Sequence, residues 1–293
     1  MAQLGSIIQH IEQATQTKLS NYSLSSVGGG CINTAYKVSA GDHYYFIKVN
    51  SPSLSAMFEA EAAALDEIGA LNCVRVPKVI TYGTADGKSY LALEYIALGS
   101  MRGGAAKLFG QQLAQLHQQE MPYFGWHIDN TIGSTPQINN REDDWHTFWQ
   151  RHRLDQQLAF AAQNGYTGRL QDRGMLLSEN LHLFFDNYNP HPSMLHGDLW
   201  GGNAAGDEEG KPVMFDPASY YGDRETDIAM TELFGGFGHD FASAYNAEYP
   251  LEAGYSVRKT LYNLYHILNH LNLFGGGYLS QAESMIERLL SET

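Results

Sequence analysis

Near position 200 of this 293-residue chain stands His196-Gly197-Asp198-Leu199-Trp200-Gly201-Gly202-Asn203, followed by Val213-Met214-Phe215-Asp216. An Asp and an Asn five residues apart, with a second Asp closing an apolar run 18 residues after the first, form a recurring arrangement for phosphoryl transfer. In that chemistry the first Asp, here Asp198, orients or accepts the proton of an attacking hydroxyl. It must do so from a loop fixed about 3 Å from the acceptor oxygen. Asn203 and Asp216 would supply oxygen ligands, which a hard, strongly hydrated cation such as Mg²⁺ requires. The same residue types in a turn could merely satisfy backbone groups. The His-Gly lead and the Asp at the end of an apolar run favour the phosphoryl reading.

An earlier segment supplies the complement. Gly28-Gly29-Gly30-Cys31-Ile32-Asn33 lies between two strand-like runs, and residues without side chains let backbone N–H groups approach phosphates closely. Lys48 follows in Phe46-Ile47-Lys48-Val49. A lysine in a largely apolar strand is costly unless it is paired. Its candidate partners on the next helix are Glu59 and Glu61, and Glu61, opening Glu-Ala-Ala-Ala-Leu, is preferred. Cys31 inside the glycine loop is a candidate redox site, because a thiolate near N–H donors has a lowered pKa; the plain alternative is a small filler. Two look-alikes carry nothing. Gly83-Thr-Ala-Asp-Gly87-Lys88-Ser89 is one residue short of a nucleotide P-loop and sits in a hairpin pattern. His266 and His270 have metal-ligand spacing but no following Glu and no third ligand.

Several elements must position these residues. Residues 5–17 read as an amphipathic helix, 22–27, 34–39 and 43–49 as strands, and 54–71 as a helix. Strands follow at 79–82 and 90–95 around the turn TADGKS. After the glycine-containing break 97–104, residues 105–119, 144–163, 172–187 and 255–273 read as helices. A last helix opens at Ser280, with Glu283 in capping-box spacing. The expected fold class is therefore α+β: an N-lobe at 1–96 with a small antiparallel sheet and one key helix, a hinge at 97–104, and a larger, mainly helical C-lobe at 105–293.

Composition narrows the function classes. The net charge is −14, with 18 basic against 32 acidic residues, which argues against binding a phosphate backbone and hence against nucleic acid as a partner. Residues 1–104 carry 7 basic and 8 acidic residues, and 105–293 carry 11 and 24. The acidic second part is either a solvated surface or an attractor for a cationic small molecule. Two cysteines, Cys31 and Cys73, exclude a disulfide scaffold and a cysteine-based zinc cluster. MAQLGSIIQHIEQ shows neither the basic flank nor the apolar run of a secretion signal, and no apolar run approaches the length of a membrane span. The expectation is a cytoplasmic protein; its oligomeric state is not legible.

Taken in order, the segments GGGCINTAYKV (28–38), FIKVN (46–50), MFEAEAAAL (57–65), VPKVITYG (76–83), the stretch 124–158, LHGDLWGGNAA (195–205) and FDPASYYGDRETDIAM (215–230) resemble the fructosamine (ketosamine) kinase family. That family is related to the aminoglycoside and choline kinases and has the bilobal protein-kinase-like fold. The Leu-Trp-Gly-Gly-Asn continuation after His-Gly-Asp separates it from the aminoglycoside kinases. The resemblance implies ATP and Mg²⁺ as cofactors, with ATP bound between the lobes. It implies a small-molecule ketoamine as substrate, phosphorylated on the third-carbon hydroxyl of its ketose. The unstable 3-phosphate then breaks down and frees the amine, and bacterial-type members are expected to favour ribulosamines over fructosamines.

By the same resemblance Asp198 is the catalytic base, Asn203 and Asp216 bind Mg²⁺, and Lys48, paired with Glu61, contacts the ATP phosphates with Gly28, Gly29 and Gly30. Glu94, Tyr95 and Ile96 form the hinge strand facing adenine, and Cys31 is a redox-control position. Trp200 is expected to stack on the sugar or its amine substituent, or else to anchor the loop. Asp223, Glu225 and Asp227 either attract the amine or begin a helix near 225. Trp126, Trp145 and Trp149 are expected in the core, and His196 as a brace of the loop. The glycine loop lacks its last glycine, and Asp216-Pro217-Ala218 replaces Asp-Phe-Gly. Both departures disfavour a protein substrate. The rival readings are a kinase of an aminoglycoside, choline or another amino-sugar, and a nucleotide-binding pseudokinase without turnover.

Overall fold

The computed structural model describes residues 4–28 and 32–293. Gly29, Gly30 and Cys31 lie outside the described residues. The chain divides into two compact units, Met1–Ala105 with Ala204–Pro217, and Ala106–Asn203 with Ala218–Thr293.

In the first unit α1 (Gly5–Thr15) buries Ile7, Ile8 and Ile11 on one stripe. It is followed by β1 (Ser23–Val27), β2 (Thr34–Ala40), β3 (His43–Asn50), α2 (Ser55–Ala70), β4 (Val79–Ala85) and β5 (Lys88–Glu94). The five strands form one antiparallel sheet in the order β1-β2-β3-β5-β4. Strand β3 is central, and its alternation decides which side chains meet which layer. Tyr45, Ile47 and Val49 join the core formed with α1, beside Val38, Tyr90 and Ala92. Lys48 points to the opposite face. The β4–β5 turn carries positive φ at Asp86 (54°) and Gly87 (69°), the mirror-image turn that suits a two-residue hairpin. This removes the P-loop look-alike and lengthens β4 by three residues beyond its expected end at Tyr82.

The second unit begins with α3 (Ala105–His117), followed by β6 (Asn130–Ile132) and β7 (Thr135–Gln137). Then come α4 (Trp145–Trp149), a π-helical turn at Gln150–Leu154, α5 (Asp155–Gln163) and α6 (Arg169–Glu179). Strand β8 (Ser193–Met194) pairs with β11 (Tyr221–Gly222), and the chain between them carries β9 (Ala204–Gly206) and β10 (Pro212–Met214), which belong to the first unit. Helices α7 (Glu225–Thr231), α8 (Gly238–Glu248), α9 (Tyr255–Phe274) and α10 (Leu279–Leu290) complete it. Helix α9 buries eleven of its residues, Arg258, Asn263, His266 and Asn269 among them, and packs against α5, α7 and α10. Trp126, Trp145 and Trp149 are buried, as expected of core residues.

The structure differs from expectation in five places. The helix expected at 172–187 stops at Glu179, because the Asn180 side chain turns back to the Leu176 carbonyl and the apolar residues that follow wind into a 3₁₀ turn, Leu181–Phe185. The last helix starts at Leu279 directly from a 3₁₀ turn, and no side-chain cap forms at its start, so Ser280 already lies in its first turn. The segment 144–163 is interrupted by the π-helical turn. Helix α8 was not anticipated. The β9–β10 hairpin, expected within the C-lobe, groups with the first unit, where Gly99 and Gly206 exchange backbone hydrogen bonds of 2.8 and 2.7 Å.

Candidate active site

In the first unit the Lys48 Nζ donates to Glu61 Oε1 and to Asp216 Oδ1, each at 2.6 Å. Lys48 and Glu61 are buried, whereas the Asp216 side chain is half exposed. The geometry follows from the strand and the helix. Lys48 leaves β3 on the face away from the α1 core, and α2 places Glu61 on its buried side. Burial alone would discharge the ammonium, but the charges of Glu61 and then Asp216 outweigh it and hold the Lys48 pKa above its ordinary value. Burial pushes the Glu61 carboxyl up and Lys48 opposes it. Glu61, the preferred partner, is the one that pairs, and Glu59 makes no ion pair among the described residues. Two carboxylates around one ammonium leave an excess negative charge, which a divalent cation at the exposed Asp216 carboxylate would offset. Asp216 holds this place with positive φ, 57°.

In the second unit the Asp198–Asn203 loop is held from behind. Asn203 donates through Nδ2 to the Asp198 carbonyl (2.8 Å) and to Asp198 Oδ2 (3.0 Å). This fixes the carboxylate and leaves a carbonyl oxygen as what Asn203 can offer a cation. The Asp198 N–H donates to His196 Nδ1 at 3.2 Å. Asp227 accepts from the N–H groups of His196 (2.8 Å) and Gly197 (2.9 Å), and the fully buried His117 Nε2 lies 3.2 Å from it. The tautomer that donates from Nε2 leaves His117 Nδ1 to accept from the Tyr245 hydroxyl, 2.8 Å away. Burial works against the Asp227 carboxylate, yet these donors hold its pKa below the ordinary range. Burial pushes the His117 pKa down, against the pull of Asp227. At Gly197 φ is +82°, and a Cβ would stand 2.1 Å from the Ala218 carbonyl oxygen, so only glycine permits this crossing.

The remaining candidates divide. Trp200 is 39% exposed, and Gly202 makes room for it, since a Cβ there would meet the indole at 2.3 Å. Asp223 and Glu225 are buried within the helical unit and offer no carboxylate to a cationic substrate. Asp223 accepts from the Tyr188 and Tyr262 hydroxyls and from the Glu225 N–H, and Glu225 forks to Arg258 at 2.7 and 3.0 Å. The helix-start reading of these residues therefore replaces the amine-attracting one. Asp227, grouped with them in the sequence, is the residue whose role the sequence did not disclose. Glu94, Tyr95 and Ile96 end β5 and continue beyond it, with Ile96 buried and the Glu94 carboxylate tied to Arg75. Gly28 is the last described residue before Gly29, Gly30 and Cys31, which lie outside the described residues. His266 is buried, with its pKa pushed down to about 3 by burial, and its carbonyl lies 2.8 Å from His270 Nδ1. No cluster of metal-binding His, Cys, Asp or Glu occurs among the described residues.

A five-stranded antiparallel sheet carrying a Lys–Glu pair, followed by a helical unit with an Asp-x₄-Asn loop, defines the kinase-like class of phosphotransferases. Within that class, the family model described as fructosamine kinase matches residues 3–292, and the chain belongs to the fructosamine kinase family. A Synechocystis protein named a probable ketoamine kinase is 46% identical over 285 residues, 97% of this chain and 96% of its own. A rice protein named chloroplastic protein-ribulosamine 3-kinase is 43% identical over 272 residues, 91% of this chain and 78% of its own. A solved Haemophilus somnus structure, assigned by name as a fructosamine-3-kinase, matches with a TM-score of 0.87 at 30% identity, covering 97% of this chain and 96% of its own. No helix among the described residues is long and apolar enough to cross a membrane.

Proposed function

We propose that the chain is an ATP-dependent kinase that phosphorylates the 3-hydroxyl of ketosamines, ribulosamines before fructosamines, in the cytoplasm. The observation that carries this reading is the Asp198–Asn203 loop, where the carboxylate is fixed by the amide five residues on; the intervening Leu-Trp-Gly-Gly is the continuation on which the resemblance to ketosamine kinases rests. Asp198 orients the ketose hydroxyl and takes its proton as that oxygen attacks the γ-phosphate in line. Lys48, kept charged by Glu61, holds the ATP phosphates. Gly28, with Gly29 and Gly30, offers backbone N–H groups to them, and Glu94–Ile96 offer backbone groups to adenine. Asn203 and Asp216 are the proposed Mg²⁺ ligands, both hard oxygen donors. When bound, Mg²⁺ offsets the charge on the transferring phosphoryl group. Trp200, exposed two residues from the base, is proposed to stack on the protonated ketoamine.

The nucleotide role falls to the first unit, now with 204–217 counted in it, and the base and acceptor site to the second. The test is Mg²⁺- and ATP-dependent ADP release on ribuloselysine, fructoselysine, choline and kanamycin. Turnover on the ketoamines alone, ribuloselysine fastest, is expected. Turnover on choline or kanamycin alone would discard the substrate, and ATP binding without turnover on any would favour a pseudokinase.

A further inference from the structure

Arg75 lies between α2 and β4, in a segment to which the sequence assigned no role. Its carbonyl accepts from the Met214 N–H at 3.0 Å, and it forms a parallel bridge with Val213, so its backbone lies along β10. Its guanidinium forks. Nη2 donates to Glu94 Oε1 at 2.8 Å, and Nη1 donates to Asp207 Oδ2 at 2.8 Å with Glu208 Oε2 3.5 Å away. Both acidic partners are themselves anchored. Glu94 Oε2 accepts from the Lys78 N–H at 3.2 Å, and Asp207 Oδ1 accepts from the N–H groups of Glu209 and Lys211, each at 2.9 Å. Glu208 Oε1 accepts from the Ala97 N–H at 3.1 Å. The β9–β10 turn is thus fastened to the chain at Glu94, Ala97 and Gly99, on either side of Tyr95 and Ile96, which with Glu94 are proposed to face adenine. From Met214 only Phe215 intervenes before Asp216.

We infer that Arg75 is a positioning residue for the nucleotide: it clasps the end of β5 to the β9–β10 hairpin and thereby sets Asp216 relative to the adenine-facing strand. The inference rests on the nucleotide role proposed above for the first unit. A planar fork suits this place because two carboxylates from different elements must be held at a fixed angle, which a lysine, a point charge on a flexible stem, cannot do. Without the guanidinium, Glu94, Asp207 and Glu208 would face one another as like charges, and the hairpin would keep only its backbone bonds, Gly99 with Gly206 and Met214 with Arg75, with its turn pushed away from Glu94. The Arg75 side chain is 37% exposed, so its ion pairs contribute little to overall stability. Its effect is on geometry.

The test compares wild type with Arg75→Ala and Arg75→Lys. MgATP affinity is titrated calorimetrically without ketoamine, KM is measured for MgATP and for ribuloselysine, and urea unfolding is followed in parallel. Arg75→Ala is expected to weaken MgATP binding about 10-fold, the lower range for residues that orient metal ligands. Its KM for ribuloselysine stays within about twofold, a split that marks lost nucleotide binding. Arg75→Lys falls between, restoring charge without the fork. Unchanged MgATP affinity in Arg75→Ala, or an equal rise in both KM values, would overturn the inference. Should Arg75→Ala not fold, Glu208→Ala, which cuts the Ala97 tether on the same turn, is judged by the same affinity criterion. If the wild type turns over no ketoamine, the proposed function fails, while the MgATP titration still decides the clasp.

Discussion

Lys48→Met removes an ammonium and keeps most of its apolar stem. The side chains of Lys48 and Glu61 are 8% and 10% exposed, so their ion pair needs almost no discount for solvent screening. Stripping one partner from a buried pair costs about 3–5 kcal/mol, chiefly for the charge left behind. Asp216, 48% exposed, adds little, since its charge is solvated. The variant is therefore expected to lose about 3 kcal/mol at neutral pH. The loss depends on pH with a defined sign. Burial already raises the Glu61 pKa and Lys48 opposes this; without Lys48, burial and Asp216 both act upward. A carboxyl with a raised folded pKa binds more protons folded than unfolded, so its contribution falls as pH rises above the unfolded value. The deficit of Lys48→Met should be small near pH 5 and grow toward pH 8. Urea unfolding at four pH values in that range, with constant m-values, measures it. The double variant Lys48→Met/Glu61→Leu should regain most of the stability but not MgATP binding. A deficit below about 1 kcal/mol, or one that is flat with pH, would refute the reasoning.

Two further outcomes are expected. Gly197→Ala, forced against the Ala218 carbonyl at positive φ, should lower kcat at least about 100-fold by displacing the loop and destabilise the fold by about 2–3 kcal/mol; wild-type kinetics and melting would contradict this. His117 and His266 are buried with depressed pKa values, so the unfolded chain takes up protons below its histidine pKa that the folded chain refuses, and stability falls as pH drops below about 6.5. His266→Gln should flatten that fall by up to about 1.4 kcal/mol per pH unit, read from urea midpoints at pH 5 and 7; an unchanged slope would contradict it.

What was legible in the sequence was local. Lys48 announced itself as a charge in an apolar strand, and the Asp86-Gly87 turn as a hairpin. The spacing singled out Asp198, Asn203 and Asp216, and the fold bonds Asn203 to Asp198 and Asp216 to Lys48. What was hidden depended on contacts between distant residues. Asp227 looked like one of several acids at a helix start, and only the fold brings it under the N–H groups of His196 and Gly197, about thirty positions earlier. Asp223 and Glu225 looked available because sequence does not reveal burial, and their partners come from two other segments, Tyr188 from the chain before β8 and Tyr262 and Arg258 from α9. The β9–β10 hairpin joins the first unit through Arg75 and Gly99, more than a hundred residues away. The end of α6 differs because apolar spacing continues through a 3₁₀ turn as readily as through α-helix, and the start of α10 because the Ser280–Glu283 spacing of a capping box forms no side-chain cap where the helix follows directly on a 3₁₀ turn.

The most direct test of the account is Asp198→Asn, assayed for phosphoryl transfer to ribuloselysine with MgATP affinity measured on the same protein. A kcat at least about 100-fold below wild type, as loss of a general base demands, with MgATP affinity unchanged, is the predicted result. Retained turnover, or a parallel loss of MgATP binding, would contradict the assignment of Asp198 as the base.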